Sequence, residues 1–358
     1  YLTPFINYAI GSTALRYVGA ANEGDAVAIA AGAELGGKPA VVMFQNSGLG
    51  NAVNPLTSLT HTFQLPVLLI VTWRGEPGGQ ADEPQHELMG AVTPGMLELM
   101  GIPWSLFPAD AAEVAPVLDR AVAYMHAERR PYALVMRKGS VAEAGLAAAP
   151  PRAPPPAAAG MPRESAVARR QAILAAVRAA SGPDRDLLVA TTGYTGRELY
   201  ALGDTANQLY MVGSMGCAVS LALGLAIARP DRRVIAIDGD GAALMRLGAL
   251  TTVGAERPPN LTHILIDNGQ HESTGGQATV SAGVDFCAIA SGAGYPVVTG
   301  AADPAALQAL LSDRAPGLRF VHVPVLPGIS QGLPRPSMPP AAVAARFRAW
   351  LGTQGGAR

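Results

Sequence analysis

The chain has 358 residues, a formal charge of −1 and a composition that is 49% hydrophobic. That is enough apolar material for two α/β cores, and it leaves no basic surface for nucleic acid or an anionic membrane. The two cysteines, Cys217 and Cys287, lie far apart in sequence, which excludes a disulfide scaffold and suits a reducing cytoplasm, the expected location. The longest mildly apolar run, residues 217–228, contains Ser220 and is too short to cross a bilayer.

The first residue is Tyr1 rather than Met, so a processed or truncated start is expected. Residues 4–17 read as a helix rather than a signal peptide. A helix over 22–36, a strand over 39–44 and a helix over 53–62 follow. The continuous apolar run 66–72 predicts a buried strand. Helices are expected near 94–100 and over 111–128, with a strand over 132–136. Residues 143–165 are dominated by Ala and Pro, with six prolines, and can bury little. They read as a linker, although a surface loop inside one domain has the same composition.

Beyond it, a helix over 166–180, a strand over 186–191 and a helix over 218–228 are predicted. A strand over 233–238, a helix over 243–254 and a strand before Asn268 follow. Residues 297–298 and 320–323 complete a sheet, and 341–351 reads as a terminal surface helix. Apolar strands alternating with helices predict parallel sheets covered on both faces. The expected fold class is α/β, with two doubly wound parallel-sheet domains over residues 1–142 and 166–358.

Two strand ends carry the chemistry. Gly239-Asp240-Gly241 closes one apolar strand, and Asn268 closes another 28 residues after Asp240. In a parallel α/β sheet both emerge at the carboxyl edge, where such folds bind ligands. A carboxylate and an amide at this spacing suit Mg²⁺, with the Gln270 carbonyl as a third ligand and diphosphate oxygens completing the shell. Gly241 and Ala242 would offer backbone N–H groups to phosphate. Taken alone, Gly-Asp-Gly is equally a turn whose carboxylate caps the next helix.

With these strand ends, three longer runs resemble thiamine diphosphate-dependent 2-oxo acid decarboxylases, and more narrowly their phosphonopyruvate decarboxylase branch. They are Asn22-Glu-Gly-Asp-Ala-Val-Ala-Ile-Ala30, Gly75-Glu-Pro-Gly with Asp82-Glu-Pro-Gln-His-Glu-Leu-Met-Gly90, and Asn268-Gly-Gln-His-Glu-Ser-Thr-Gly-Gly-Gln277. The resemblance covers nearly the whole chain and implies a pyrimidine-binding domain followed by a diphosphate-binding domain. Two departures stand out: the paired Asn-Asn of many relatives is Asp267-Asn268 here, and the family's opening strand lies before Tyr1.

The resemblance gives Glu23 the carboxyl that activates the aminopyrimidine of thiamine diphosphate. Without it, Glu23 is an acidic residue in the first turn of a helix capped by Asn22. Ser214 and Met215, in Gly213–Gly216, would support the bent cofactor. Gly193, Tyr194 and Thr195 would contact its diphosphate. Asn46, Ser47, Arg74, Gln85 and Glu272 become candidates for the substrate, a small anionic 2-oxo acid. Asp82, His86 and His271 become candidate proton carriers.

The implied reaction is non-oxidative decarboxylation of 3-phosphonopyruvate to phosphonoacetaldehyde and CO₂. It also implies self-association, with active sites between subunits. Sulfopyruvate decarboxylation, or a non-catalytic subunit of the same fold, are the alternatives. A carboligase would need a middle domain that the Pro-rich stretch is too short to hold. A generic nucleotide site would need a Gly-x-x-x-x-Gly-Lys-Ser/Thr loop, which is missing.

Overall fold

The computed structural model describes residues 1–80, 82–145 and 166–352; most of the expected linker, from residue 146 on, lies outside them. The N-terminal part runs α1 (Thr3–Gly11), α2 (Glu23–Leu35), β1 (Val41–Phe44), α3 (Leu49–Pro55), a π-helical turn (Leu56–Thr60), α4 (His61–Phe63), β2 (Leu68–Thr72), α5 (Glu87–Leu99), β3 (Trp104–Leu106), α6 (Ala111–Glu128) and β4 (Tyr132–Met136). Its four parallel strands lie in the order β1-β2-β4-β3.

The C-terminal part opens with α7 (Arg170–Ala180), β5 (Asp186–Ala190), α8 (Tyr194–Ala201), β6 (Gln208–Tyr210), α9 (Ala218–Ala228), β7 (Arg233–Gly239), α10 (Asp240–Met245), α11 (Ala249–Glu256) and β8 (Leu261–Asp267). It continues through the short pair β9 (Gln270–His271) and β10 (Gln277–Ala278), then α12 (Phe286–Gly292), β11 (Val297–Gly300), α13 (Pro304–Ser312), β12 (Arg319–Pro324) and α14 (Pro340–Trp350). Six parallel strands lie in the order β11-β12-β8-β7-β5-β6. Strands β5 and β8 are buried along their whole length, as a sheet covered on both faces requires. No helix among the described residues is long and apolar enough to span a membrane.

Helices α2 and α9 join the two parts. Helix α9 is apolar all round, the mark of a helix buried on every side, and α2 is mostly buried although it carries Glu23, Asp25 and Glu34. One face of α2, with Val27 and Ala30, packs into the N-terminal core. A neighbouring face, with Ala28, Ala31 and Leu35, belongs to the large C-terminal core. Glycines let the backbones touch: a Cβ on Gly32 would lie 2.0 Å from the Leu221 carbonyl oxygen, and one on Gly224 would lie 1.9 Å from that of Ile29.

Several elements differ from the sequence expectation. The first helix ends at Gly11, where Ser12 turns extended, rather than at residue 17. The helix expected over 53–62 starts earlier, at Leu49 directly after a 3-10 turn (Asn46–Gly48), and is π-helical over Leu56–Thr60. The helix expected over 243–254 is two helices, broken where Arg246 leaves helical geometry. Helix α5 begins well before Pro94, which sits inside it. A proline has no N–H for the carbonyl four residues back, so the Gly90 carbonyl is free to accept the Trp73 indole N–H at 2.8 Å. The terminal helix is at the surface but anchors Phe347 in the core.

Candidate active site

From β5 the sheet extends one way through β6 and the other way through β7. The loops after β5 and β7 therefore diverge and leave a crevice between them, at the carboxyl edge of the sheet. The crevice is lined by Thr191–Thr195, Gly239–Ala242, Asn268 and Gln270–Ser273, with Met215 and Arg170 at its walls. Gly193, Tyr194, Thr195, Met215, Asp240, Gly241, Ala242, Asn268, Gln270, His271 and Glu272 all meet here. Ser214 does not line it. It is buried at φ +50°, pinned by Ser58 of the π-helical turn, whose Oγ accepts its N–H at 3.0 Å.

Asp240 follows directly on β7. Burial pushes its carboxyl pKa upward, the Thr279 hydroxyl donating to Oδ2 at 2.6 Å opposes this, and nearby Asp267 adds to the rise. Asn268 Oδ1 accepts the N–H of Gln270 at 3.2 Å, which fixes the amide. Asp267 ties down the turn behind it. Its carboxylate accepts from the Gly269 N–H, the Ser281 hydroxyl and the His322 ring at 2.9–3.1 Å. Burial opposes its ionisation, but the His322 and Ser281 bonds outweigh that and hold its pKa below the ordinary value. Gly193 stands at φ +89°, a conformation that favours glycine, and opens α8 with no side-chain cap, so first-turn N–H groups face the crevice. A Cβ on Gly241 would strike the His271 ring at 2.6 Å.

Arg170 forms the far wall. Its guanidinium is 7% exposed and pairs with both oxygens of Glu198 at 2.9 and 3.0 Å, and with Glu272 at 2.8 Å. Glu272 also accepts the Gly328 N–H at 2.5 Å. It lines the crevice while anchored on Arg170. The Tyr194 ring lies between Arg170 and Arg197, at 5.7 and 5.3 Å.

None of the seven N-terminal candidates (Glu23, Asn46, Ser47, Arg74, Asp82, Gln85 and His86) lines this crevice. They sit apart from it, at the start of α2 and in the loops after β1 and β2. Glu23 is half-buried, lies against Gly48, and accepts from Asn51 Nδ2 at 2.9 Å. Asn46 is buried and saturated, bonded to Thr72, Thr93 and the Arg74 backbone. Arg74 is held at both ends by Asp82, at 3.0 and 2.5 Å, and at Nη1 by Gln45. That guanidinium keeps the Asp82 carboxyl far below the usual carboxylate range. In this structure Asp82 is thus the partner of Arg74. His86 is 3% exposed, and its Nδ1 is buried without a partner. Ser47 and Gln85 are exposed.

Residues 1–92 match the thiamine pyrophosphate enzyme N-terminal TPP binding domain, and residues 199–323 match the C-terminal TPP binding domain. Phosphonopyruvate decarboxylase of Streptomyces viridochromogenes is 44% identical over 99% of this chain and 89% of its own length. The chain belongs to the phosphonopyruvate decarboxylase family of thiamine pyrophosphate enzymes. Sulfopyruvate decarboxylase of Methanosarcina acetivorans is 32% identical over 92% of this chain and 86% of that relative. Among solved structures, benzoylformate decarboxylase from Polynucleobacter necessarius shares the fold, with a TM-score of 0.70 at 14% identity over 92% of this chain and 95% of that one.

The crevice suits the tail of that family's cofactor. It offers bare backbone at Gly193 and Gly241, hydroxyls from Thr191 and Thr195, and one carboxylate beside one amide. Thr191 Oγ1 is buried there without a partner, the state of a donor waiting for an anion. The donors fit a hard, oxygen-seeking cation. Among the described residues no cluster of three His, Cys, Asp or Glu is placed to hold a softer metal. Thr191, Arg170 and Thr279 were missed from sequence, whereas Asn51 lies in the loop 44–51 expected to form the substrate side of the site. Thr191 ends a predicted strand and could have been found that way; the others gave no local signal.

Proposed function

We propose that this enzyme, a carboxy-lyase, converts 3-phosphonopyruvate to phosphonoacetaldehyde and CO₂, using thiamine diphosphate and Mg²⁺. The observation that carries the reading is the meeting of Asp240, Asn268 and the Gly193 and Gly241 backbones in one crevice at the switch point of the C-terminal sheet. The relatives of known activity supply the substrate class. When bound, thiamine diphosphate supplies the nucleophilic carbon and the electron sink that let a 2-oxo acid lose CO₂.

The chain's own groups do the rest. Asp240, Asn268 and the Gln270 carbonyl would hold Mg²⁺, which would help to anchor the diphosphate. Gly241, Ala242 and the start of α8 donate backbone N–H groups to phosphate oxygens. Ser214 and Met215 would support the aminopyrimidine, and the Glu23 carboxyl, held by Asn51, would hydrogen-bond its ring nitrogen. His86, with its unpartnered Nδ1, and His271, over Gly241, carry protons. Arg74 meets the substrate phosphonate, with Asp82 fixing its guanidinium and Asn46, Ser47 and Gln85 around it. Glu272 acts at one remove, by anchoring Arg170.

Because the N-terminal group lies outside the crevice, this reading places it over the crevice of a second chain, and a symmetric dimer is the smallest closed arrangement. We place the enzyme in the cytoplasm, in phosphonate biosynthesis, as a homo-oligomer with no nucleic-acid or membrane partner.

The test is aldehyde release by the purified protein with thiamine diphosphate and Mg²⁺, offering 3-phosphonopyruvate, sulfopyruvate and pyruvate side by side. Turnover of the phosphonate well above the other two supports the reading. Preference for the sulfonate keeps the chemistry and replaces the substrate. Silence on all three with cofactor bound contradicts an active enzyme.

A further inference from the structure

Arg246 lies outside the crevice and has no place in the roles above. It directly follows α10, whose first residue is Asp240, and leaves helical geometry at φ −136° and ψ 48°. From there its side chain crosses to the N-terminal part. Nη1 donates to Asn22 Oδ1 at 2.8 Å and to Asp25 Oδ1 at 3.3 Å, and Nη2 reaches the Asn51 carbonyl at 3.5 Å. These three residues surround Glu23: Asn22 caps its helix, Asp25 lies two residues on, and the Asn51 amide donates to Glu23 Oε2 at 2.9 Å.

Each receiving atom is open to Arg246 for a local reason. Pro55 has no N–H, so the Asn51 carbonyl lacks its helical donor. Asn22 Oδ1 uses one lone pair on the Gly24 N–H and keeps another. Asp25 is 1% exposed, and a buried carboxylate requires a cation or donors; it has Arg246 and the Ser220 hydroxyl. Gly24 supplies the space. A Cβ there would lie 2.5 Å from both guanidinium nitrogens and 2.6 Å from the Asn51 oxygen. The same arginine packs beneath the loop carrying Met215, its Cγ 3.0 Å from where a Gly216 Cβ would be.

The guanidinium grips the residues flanking Glu23 but makes no ion pair with Glu23 itself. That division has chemical sense. A cation on Glu23 would hold it as an anion, whereas a carboxyl that shares a proton with a ring nitrogen must be able to keep one. We propose that Arg246 is a positioning residue for Glu23: it fixes the start of α2 and the Asn51 amide, and so the aim of the Glu23 carboxyl, without neutralising it. The proposal rests on the role given to Glu23 above.

The test reads cofactor activation directly, as exchange of the C2 hydrogen of enzyme-bound thiamine diphosphate with D₂O, by acid quench and NMR. Arg246→Met combined with Asp25→Asn removes both charges and leaves none buried alone. Gly24→Ala evicts the guanidinium while keeping it in the chain. Both should slow exchange by about tenfold or more, the scale of a misaimed catalytic group. Both should lower kcat in step, with KM for 3-phosphonopyruvate and cofactor affinity by tryptophan fluorescence little changed. Arg246→Lys should restore part of the loss, which a purely structural role would not predict for exchange at constant thermal midpoint.

Glu23→Gln is measured alongside. If it slows exchange while the double variant and Gly24→Ala exchange like wild type, the Arg246 proposal fails alone. If Glu23→Gln itself exchanges like wild type, the reading of Glu23 fails and takes this proposal with it. Should the double variant not fold, Gly24→Ala decides, because its exchange rate either falls or does not.

Discussion

The crevice of the C-terminal sheet and the polar loops of the N-terminal part use similar residues, carboxylates, amides, hydroxyls and arginines, but hold them differently. The crevice comes from short runs at strand ends, 191–195, 239–242 and 268–273, whose backbone is already shaped and whose Thr191 hydroxyl is unpartnered. The N-terminal groups are drawn from residues 23 to 86 and largely satisfy one another: Arg74 with Asp82, and Asn46 with four neighbouring groups. The first keeps bare backbone and an unpartnered hydroxyl open inside a crevice. In the second, the Glu23 carboxylate is held by Asn51, and the His86 Nδ1 is buried without a partner.

The sharpest way to break the comparison is to strike each region once. Asp240→Ala should abolish cofactor retention in the crevice and lower kcat/KM on the order of a thousandfold or more, because a metal anchor is worth several kcal/mol. Cofactor binding by fluorescence and turnover should fall together. Glu23→Gln should separate the two readings: affinity close to wild type, with kcat down about 10²–10⁴-fold, the range of a lost acid–base group. If Glu23→Gln lost the cofactor instead, the two regions would not be distinct.

Arg170→Met asks whether the crevice wall is preformed. It leaves Glu198 and Glu272 buried without their cation, which should cost about 3–5 kcal/mol in chemical denaturation. Turnover per folded molecule should fall less than in Asp240→Ala.

The smallest effect lies outside both regions and serves as a control. Burial opposes ionisation of Asp186, but Arg314, Arg233 and the Gly182 N–H outweigh it and lower its pKa. A depressed native pKa gives stability that is present above the unfolded value of about 3.9 and is lost as pH falls through the native one. Asp186→Asn should flatten the acid limb of the stability curve below about pH 4 while leaving the cofactor affinity of the surviving fold unchanged.

The two sheets were legible because their strands are continuous apolar runs, and α6, β4 and α9 match the sequence reading residue for residue. The three-residue strands β3 and β6 were not, because they sit at sheet edges and are too short to show a pattern. Helix breaks at Arg246 and inside α3–α4 were hidden for another reason: partners distant in sequence stabilise them, Arg246 by Asp25 and Ser58 by Ser214. The site divides the same way. Asp240, Asn268 and Gly193 were readable from strand ends and spacing. Arg170, Asn51 and Thr279 act through side-chain contacts that only folding creates, and Asp82 reads as a free acid until Arg74 is seen across it.

The central claim, that one chain carries two half-sites which complete each other across subunits, is tested most directly by mixing. Glu23→Gln and Asp240→Ala chains, each nearly inactive alone, are co-expressed with separate tags and the mixed species is purified. Random pairing makes half the dimers mixed, each with one intact site, so the unfractionated mixture should recover about a quarter of wild-type activity, concentrated in the mixed species. If the mixed species stays as inactive as its parents, Glu23 and Asp240 of the same chain must serve the same site, and the account is wrong.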